Sequence, residues 1–223
     1  VSVEAGPLKG SYRVLDSSRP VPEWPGFEAG QFFVQDISNQ WLVERVSQVL
    51  LDQGARKVLD LCAAPGGKTI GLAWNGFDVT ATDIDSTRLK AVRENVERLK
   101  LGASVQVVEK KDLGTRQWDG VWIDAPCTGT GILRRHPDVR WLKQSEQLEG
   151  LNRIQRELLL EGWEKVAPGG VVAYTVCSVL AEEGRDLVKS VSLPGATTLE
   201  EKQLSPLESP FGDGFYFVLL RKA

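Results

Sequence analysis

The sequence predicts an α/β fold: a doubly wound, mostly parallel sheet with helices on both faces. Three observations carry this expectation. Short apolar runs recur along the chain, and between them apolar residues return at helical spacing. Strands that alternate with helices in this way pair in parallel, with the helices as crossovers. The residues with distinctive chemistry all fall just after apolar runs, where sheets of this kind bind their ligands.

The elements follow in order. Residues 1–25 are rich in Pro and Gly with short strand-like pieces such as 11–15, and read as the tail of a preceding domain plus a linker. Residues 26–223 then form the main domain. Trp41, Leu42, Val46, Val49 and Leu50 recur at helical spacing and predict a helix over 38–53. A strand at 57–61 runs into a Gly-rich turn at 62–69 and a helix that opens at 69. A strand at 78–82 precedes a charged helix at 86–100. Strands at 105–108 and 119–123 lead to a long loop at 125–137 and a helix at 144–166. A strand at 169–175, a helix at 181–190 and a closing strand at 215–220 complete the pattern.

Composition narrows the class. With 223 residues the chain is long enough for one ordinary core. Hydrophobic residues at 42% and charged residues at 26% suit a soluble globular protein. No apolar run approaches the roughly 18–20 residues that span a bilayer, and no secretory signal opens the chain, so a cytoplasmic location is expected. The net charge of -3 and the pI near 5.4 give no global basic surface, so any grip on nucleic acid is local or comes from another domain. The chain starts at Val1 and holds no Met, which reads as a piece of a longer or processed protein. Cys62, Cys127 and Cys177 stand far apart, and His136 is the single histidine. That is too few ligands at the wrong spacing for a structural zinc site, and a poor disulfide framework. No metal is expected.

The segment Asp60-Leu61-Cys62-Ala63-Ala64-Pro65-Gly66-Gly67-Lys68-Thr69 ends a strand and opens a helix. Small residues let the backbone approach a ligand, and free N–H groups at the helix start favour an anion. A phosphate-binding P-loop is the competing reading: Gly67-Lys68-Thr69 fits it, but Cys62 replaces its first glycine. The next strand ends Thr82-Asp83-Ile84-Asp85. An acid there, about 20 residues past the turn, suits ribose hydroxyls and favours a nucleoside cofactor over a P-loop. The plainer role for Asp83 is to cap the following helix, for which Asp85 is better placed. Asp112 follows the third strand, where an acid meets an adenine edge; alone it would read as a solvated loop residue.

Two cysteine segments close the fourth and fifth strands, Asp124-Ala125-Pro126-Cys127-Thr128-Gly129 and Tyr174-Thr175-Val176-Cys177-Ser178. A doubly wound sheet makes these strand ends neighbours. Each cysteine alone reads as a small buried side chain. Together, beside Asp124, they suit attack on a pyrimidine. A thiolate that adds to C6 of cytosine makes C5 nucleophilic enough to take a methyl group from S-adenosylmethionine. Asp124 is the candidate to contact N3 of that ring, and a base must later take the C5 proton. Cys62 keeps the plainer role of a small residue in the cofactor turn.

These segments resemble the motifs of the Sun/RsmB-type RNA cytosine-5 methyltransferases, and 131–142 and the ending Gly212-Asp213-Gly214-Phe215 are especially similar to the bacterial small-subunit rRNA members. The similarity runs from about Gly26 to the C-terminus. It implies a Rossmann-like sheet of the class I methyltransferase type and S-adenosyl-L-methionine as cofactor. It implies Cys177 as nucleophile, with Cys127 assisting product release and proton removal, and Asp124 on the target base. Cys62, Ala63, Ala64, Pro65, Gly66, Gly67, Lys68, Asp83, Asp112 and Asp124 would line the cofactor site. It also implies a separate N-terminal RNA-binding region, of which residues 1–25 would be the end. One departure is visible: Val176 stands where the family often has Thr, with Thr175 one place earlier.

Arg134, Arg135 and Arg140 lie in the loop after the catalytic strand, with Trp141 beside them. They are read as a local RNA-phosphate contact, against the plainer reading of a solvated loop. Ribosomal RNA is the favoured partner. Methylation of tRNA, a DNA cytosine-5 methyltransferase with Cys127 as nucleophile, and a P-loop NTPase remain the alternatives.

Overall fold

The computed structural model of the chain describes residues 1–16, 18–138, 145–206 and 213–223. A hairpin of β1 (Ser2–Ala5) and β2 (Tyr12–Asp16) forms its own two-stranded sheet. Helix α1 (Ile37–Asp52) follows, capped by the Asp36 side chain, which accepts from the Ser38 N–H at 2.9 Å. Its Leu42, Val43, Val46, Val49 and Leu50 are buried, as the 3–4 spacing requires.

The central sheet has seven strands: β3 (Lys57–Asp60), β4 (Asp78–Ala81), β5 (Val105–Val107), β6 (Trp118–Asp124), β7 (Val166–Val176), β8 (Ala196–Leu204) and β9 (Phe215–Lys222). Their order is β5-β4-β3-β6-β7-β9-β8. Neighbours from β5 to β7 pair in parallel, while β9 runs antiparallel to β7 and β8 antiparallel to β9. Helices α2 (Gly67–Trp74), α3 (Ser86–Arg98), α4 (Ser145–Lys165) and α5 (Arg185–Ser190) complete the domain. The chain builds outward from β3 to β5, then returns to lay β6 on the other side of β3. That reversal opens a crevice at the C-terminal ends of β3 and β6.

Alternation along the strands supplies two cores. Val58, Trp122, Val171 and Phe217 pack with α1, α2 and α3 on one face. Leu59, Val121, Ile123, Val172 and Tyr174 pack with Leu158, Leu159 and Trp163 of α4 and Leu187 of α5 on the other. No helix among the described residues is long and apolar enough to cross a membrane.

The mostly parallel doubly wound sheet is as predicted, with element ends shifted by a residue or two in most places. Two differences are larger. The helix expected over 181–190 begins only at Arg185, because residues 181–184 form turns that bury the Glu183 side chain. No element was predicted between 191 and 214, yet β8 lies there. It is an edge strand with Glu200, Glu201 and Lys202 in sequence, so its pattern carries no apolar alternation to read.

Candidate active site

The loop between β3 and α2 is held by the neighbouring strands. The Ala63 N–H donates to Thr82 O at 2.9 Å, and the Leu61 N–H donates to Trp122 O at 2.9 Å. Gly66 sits at φ 110°, a conformation that L side chains rarely adopt, and this tight turn aims the start of α2 at the crevice. Asp83 is buried; its Oδ2 accepts from the Ala64 N–H at 3.2 Å and its Oδ1 from the Asp85 N–H at 3.1 Å. Asp85, not Asp83, caps α3 by accepting from the Thr87 N–H at 2.8 Å. Asp83 therefore braces the loop from the end of β4. Beside it in sequence Ile84 is 84% exposed, a large apolar surface left open. Asp112 ends a 3₁₀ turn after β5 and is exposed. Residues 62–68, Asp83 and Asp112 thus follow three adjacent strands in the order expected of one ligand site.

Asp60 is a member of this site that the sequence did not single out. It is fully buried, its Oδ2 accepts from the Thr69 hydroxyl at 2.6 Å, and its Oδ1 has no hydrogen-bond partner. Burial pushes its carboxyl up to about 7, with the Thr69 hydrogen bond acting in the opposite direction. Burial also raises the Cys62 thiol, so Cys62 is a poor nucleophile.

The register of β6 against β7 pairs Asp124 with Thr175. The turns beyond each strand then bring Cys127 and Cys177 together, with their sulfurs 3.3 Å apart. Cys177 is exposed and Cys127 half-buried. The hydrogen bond from Cys127 lowers the Cys177 thiol, and the Lys68 ammonium acts in the same direction against burial and Asp124. Cys127 is raised by that hydrogen bond and by burial. The pair is thus divided into one thiol inclined to ionise and one inclined to keep its proton.

Asp124 is fixed from two sides. Its Oδ2 accepts from Lys68 Nζ at 2.6 Å, and its Oδ1 accepts from the Thr175 hydroxyl at 3.1 Å. Lys68 also donates to Asn39 Oδ1 at 3.1 Å. Burial works against the Lys68 ammonium, but the Asp124 carboxylate more than offsets it and raises the lysine. A cavity of about 130 Å³ opens over this pair, lined among others by Asn39, Lys68, Asp124, Arg135, Cys177 and Phe215. The Thr175 hydroxyl, one place before Val176, is therefore engaged at the catalytic strand end. Asn39 was missed by the sequence reading because it looks like any polar residue in the first turn of an amphipathic helix.

Arg134 and Arg135 are placed differently from the expectation of open phosphate contacts. Arg135 meets Asp213 at 2.7 Å and Asp36 at 3.5 Å, and Arg134 lies 3.4 Å from each of the same two carboxylates. Two guanidiniums face two carboxylates, so the cluster shows no excess of positive charge among these side chains. Arg140 and Trp141 lie outside the described residues, as does Gly212. Gly131, behind the arginines, donates its N–H to Cys177 O at 3.0 Å, and its own O accepts from the Gly214 N–H at 2.8 Å.

Residues 47–208 match the family described as 16S rRNA methyltransferase RsmB/F. The chain belongs to the RsmB/F family. Ribosomal RNA small subunit methyltransferase B of Cronobacter sakazakii is 38% identical over 222 residues, which cover 93% of this chain and 51% of that protein. The protein of the same name from Yersinia pseudotuberculosis is 39% identical, over 100% of this chain and 54% of its own length. The chain thus spans about half the length of the curated relatives it matches. The crystal structure of NSun6 from Pyrococcus horikoshii with SFG superposes with a TM-score of 0.76 at 26% identity, covering 92% of this chain and 56% of that one. Membership of the RsmB/F family sets aside the P-loop reading.

Proposed function

We propose that this chain carries the catalytic unit of an S-adenosylmethionine-dependent RNA cytosine-5 methyltransferase acting on small-subunit ribosomal RNA. One observation carries the reading: two thiols from adjacent strand ends, 3.3 Å apart, beside a cavity where Lys68 holds Asp124. The names of the relatives favour ribosomal RNA as substrate. Residues 26–223 carry the chemistry, and the hairpin at the N-terminus, a separate sheet, lies outside it.

The residues present fit the cofactor. Asp60 Oδ1 is a buried acceptor without a partner, the kind of group that a bound ammonium satisfies. The start of α2 suits a carboxylate. Asp83 and Asp112 offer carboxylate oxygens to ribose and adenine, and Ile84 offers an apolar face to the ring. When bound, the cofactor supplies an electrophilic methyl group on a sulfonium.

The chain's own residues do the rest. Cys177 Sγ bonds to C6 of the cytosine and the C5=C6 electrons move to C5, which would then take the methyl group that the bound cofactor supplies, the displaced electron pair staying with the cofactor's sulfur. The Asp124 carboxylate contacts the N3 edge by accepting from the exocyclic amino group beside it, and the Lys68 ammonium keeps that carboxylate in the cavity without an uncompensated charge. The C5 proton then passes to a solvent base, C5=C6 re-forms, and the C6–Sγ bond breaks with its electrons on Cys177. Cys127 donates a hydrogen bond to that departing sulfur and so assists release. Arg134, Arg135 and Arg140 would guide the RNA backbone, the first two by exchanging Asp36 and Asp213 for phosphates.

The test is a pair of substitutions assayed on unmodified small-subunit rRNA transcript. Cys177→Ala is expected to abolish methyl transfer, and Cys127→Ala to leave a covalent protein–RNA adduct on a denaturing gel. Retained activity in Cys177→Ala sinks the assignment of nucleophile. If the two phenotypes exchange, Cys127 is the attacking thiol, as in a DNA-type cytosine-5 mechanism.

A further inference from the structure

Behind the thiol pair, outside the catalytic cavity, lies a carboxylate that the chemistry above does not use. Glu183 is 0% exposed. Its Oε1 accepts from the Thr128 N–H at 2.8 Å and from Gln155 Nε2 at 3.1 Å, and its Oε2 accepts from the Thr128 hydroxyl. The same Gln155 nitrogen donates to Pro126 O at 2.8 Å. The Tyr174 hydroxyl donates to the Glu183 carbonyl at 2.8 Å, which ties the residue to β7. Thr128 and Pro126 are the two chain neighbours of Cys127. Glu183 therefore grips the peptide on both sides of that thiol, directly at Thr128 and through Gln155 at Pro126.

Burying a carboxylate is costly, and apolar side chains would fill the same space at least as stably. The donors that satisfy this one bear on Cys127. Cys177 is held separately, by β7 and by the Gly131 N–H on its carbonyl. We propose that Glu183 is the positioning residue that sets Cys127 against Cys177, so that Cys127 reaches the departing sulfur during product release. This rests on the functional reading above. Cys127 is held above the ordinary thiol range first by its hydrogen bond to Cys177 and by burial, and the nearby Glu183 charge adds to this. The carboxylate thus favours the protonated Cys127 that release needs. Without the clamp, Cys177 still attacks but leaves slowly.

The experiment follows adduct formation and adduct decay separately, on the full chain with unmodified small-subunit rRNA transcript, with Cys127→Ala as control. At a pH high enough to ionise Cys177 in both proteins, Glu183→Ala is expected to form adduct at close to the wild-type rate and to release it more slowly, by about tenfold or more. Glu183→Gln keeps an acceptor for the Thr128 N–H and Gln155, and should restore most of the release rate. A merely structural role would slow both steps together and would show no such split. If Glu183→Ala does not fold, Gln155→Leu removes the hold on Pro126 and one donor to Glu183 while leaving both Thr128 contacts, and should also accumulate adduct. Decay at the wild-type rate in these variants, or equal loss of formation and decay in folded protein, overturns the proposal. If Cys127→Ala itself traps no adduct, the functional reading fails instead.

Discussion

The Lys68 ammonium, from the first turn of α2, lies 2.6 Å from Asp124 Oδ2 at the end of β6. On the proposed function, the contact joins the cofactor side of the crevice to the base side. Removing the lysine leaves a part-buried carboxylate without its counter-charge beside the reacting ring. Lys68→Met, similar in volume, should lower kcat/KM by about 100-fold while the fold persists. Steady-state kinetics with far-UV circular dichroism measures this; near-normal kcat/KM in folded protein contradicts the assigned role.

The Cys177 thiol is lowered chiefly by the hydrogen bond from Cys127, so its thiolate appears at lower pH than that of a free cysteine. Alkylation by iodoacetamide should rise with pH through that lowered midpoint. Cys127→Ala removes the donor, and the midpoint should move to higher pH. An unmoved profile would show that Cys127 does not set the acidity of Cys177.

Asp60 binds its proton more tightly when folded, its carboxyl being raised by burial from 3.8 to about 7. The folded state therefore holds more protons than the unfolded chain between these values, and stability falls as pH rises through that window. The loss is on the order of 4 kcal/mol at most. Asp60→Asn keeps an acceptor for the Thr69 hydroxyl and removes the titration. Urea unfolding at pH 5 and pH 8 should show a flatter dependence and a more stable protein at the higher pH. An unchanged difference between the two would show that Asp60 is not the group responsible.

Gly131 stands where backbone meets backbone. A Cβ there would lie 1.9 Å from Gly214 O and 3.0 Å from Cys177 O. Neither carbonyl belongs to a flexible side chain that can swing away, so Gly131→Ala should cost about 2 kcal/mol of stability and displace the Cys177 turn. Denaturant titration and the single-turnover rate should both fall; a variant of native stability would show that the turn yields easily.

Much of the site was legible because its signals are local. Gly66-Gly67-Lys68-Thr69 needs a tight turn at a strand end, and Asp83 and Asp85 divide their work by their positions before α3. Asp124-Ala125-Pro126-Cys127 and Val176-Cys177 mark two strand ends whose adjacency follows from the alternation of elements. What escaped was set by packing across long separations. Glu183 follows Glu182 within the segment expected as a helix over 181–190, yet it is buried against Thr128, 55 positions away in sequence. The pairing of Arg134 and Arg135 with Asp36 and Asp213 is equally invisible in a loop that reads as basic.

By itself the sequence determined the α/β class, the two strand ends that carry cysteines and the cofactor-type turn, because strand and helix periodicity and turn chemistry are short-range properties of the chain. Only the tertiary structure decided how those parts are charged and held. The 3.3 Å approach of Cys127 to Cys177, the lysine on Asp124 and the carboxylate behind Cys127 arise where separate segments meet. Burial and the neighbours found there set which thiol gives up its proton, and neither quantity exists until the chain has folded.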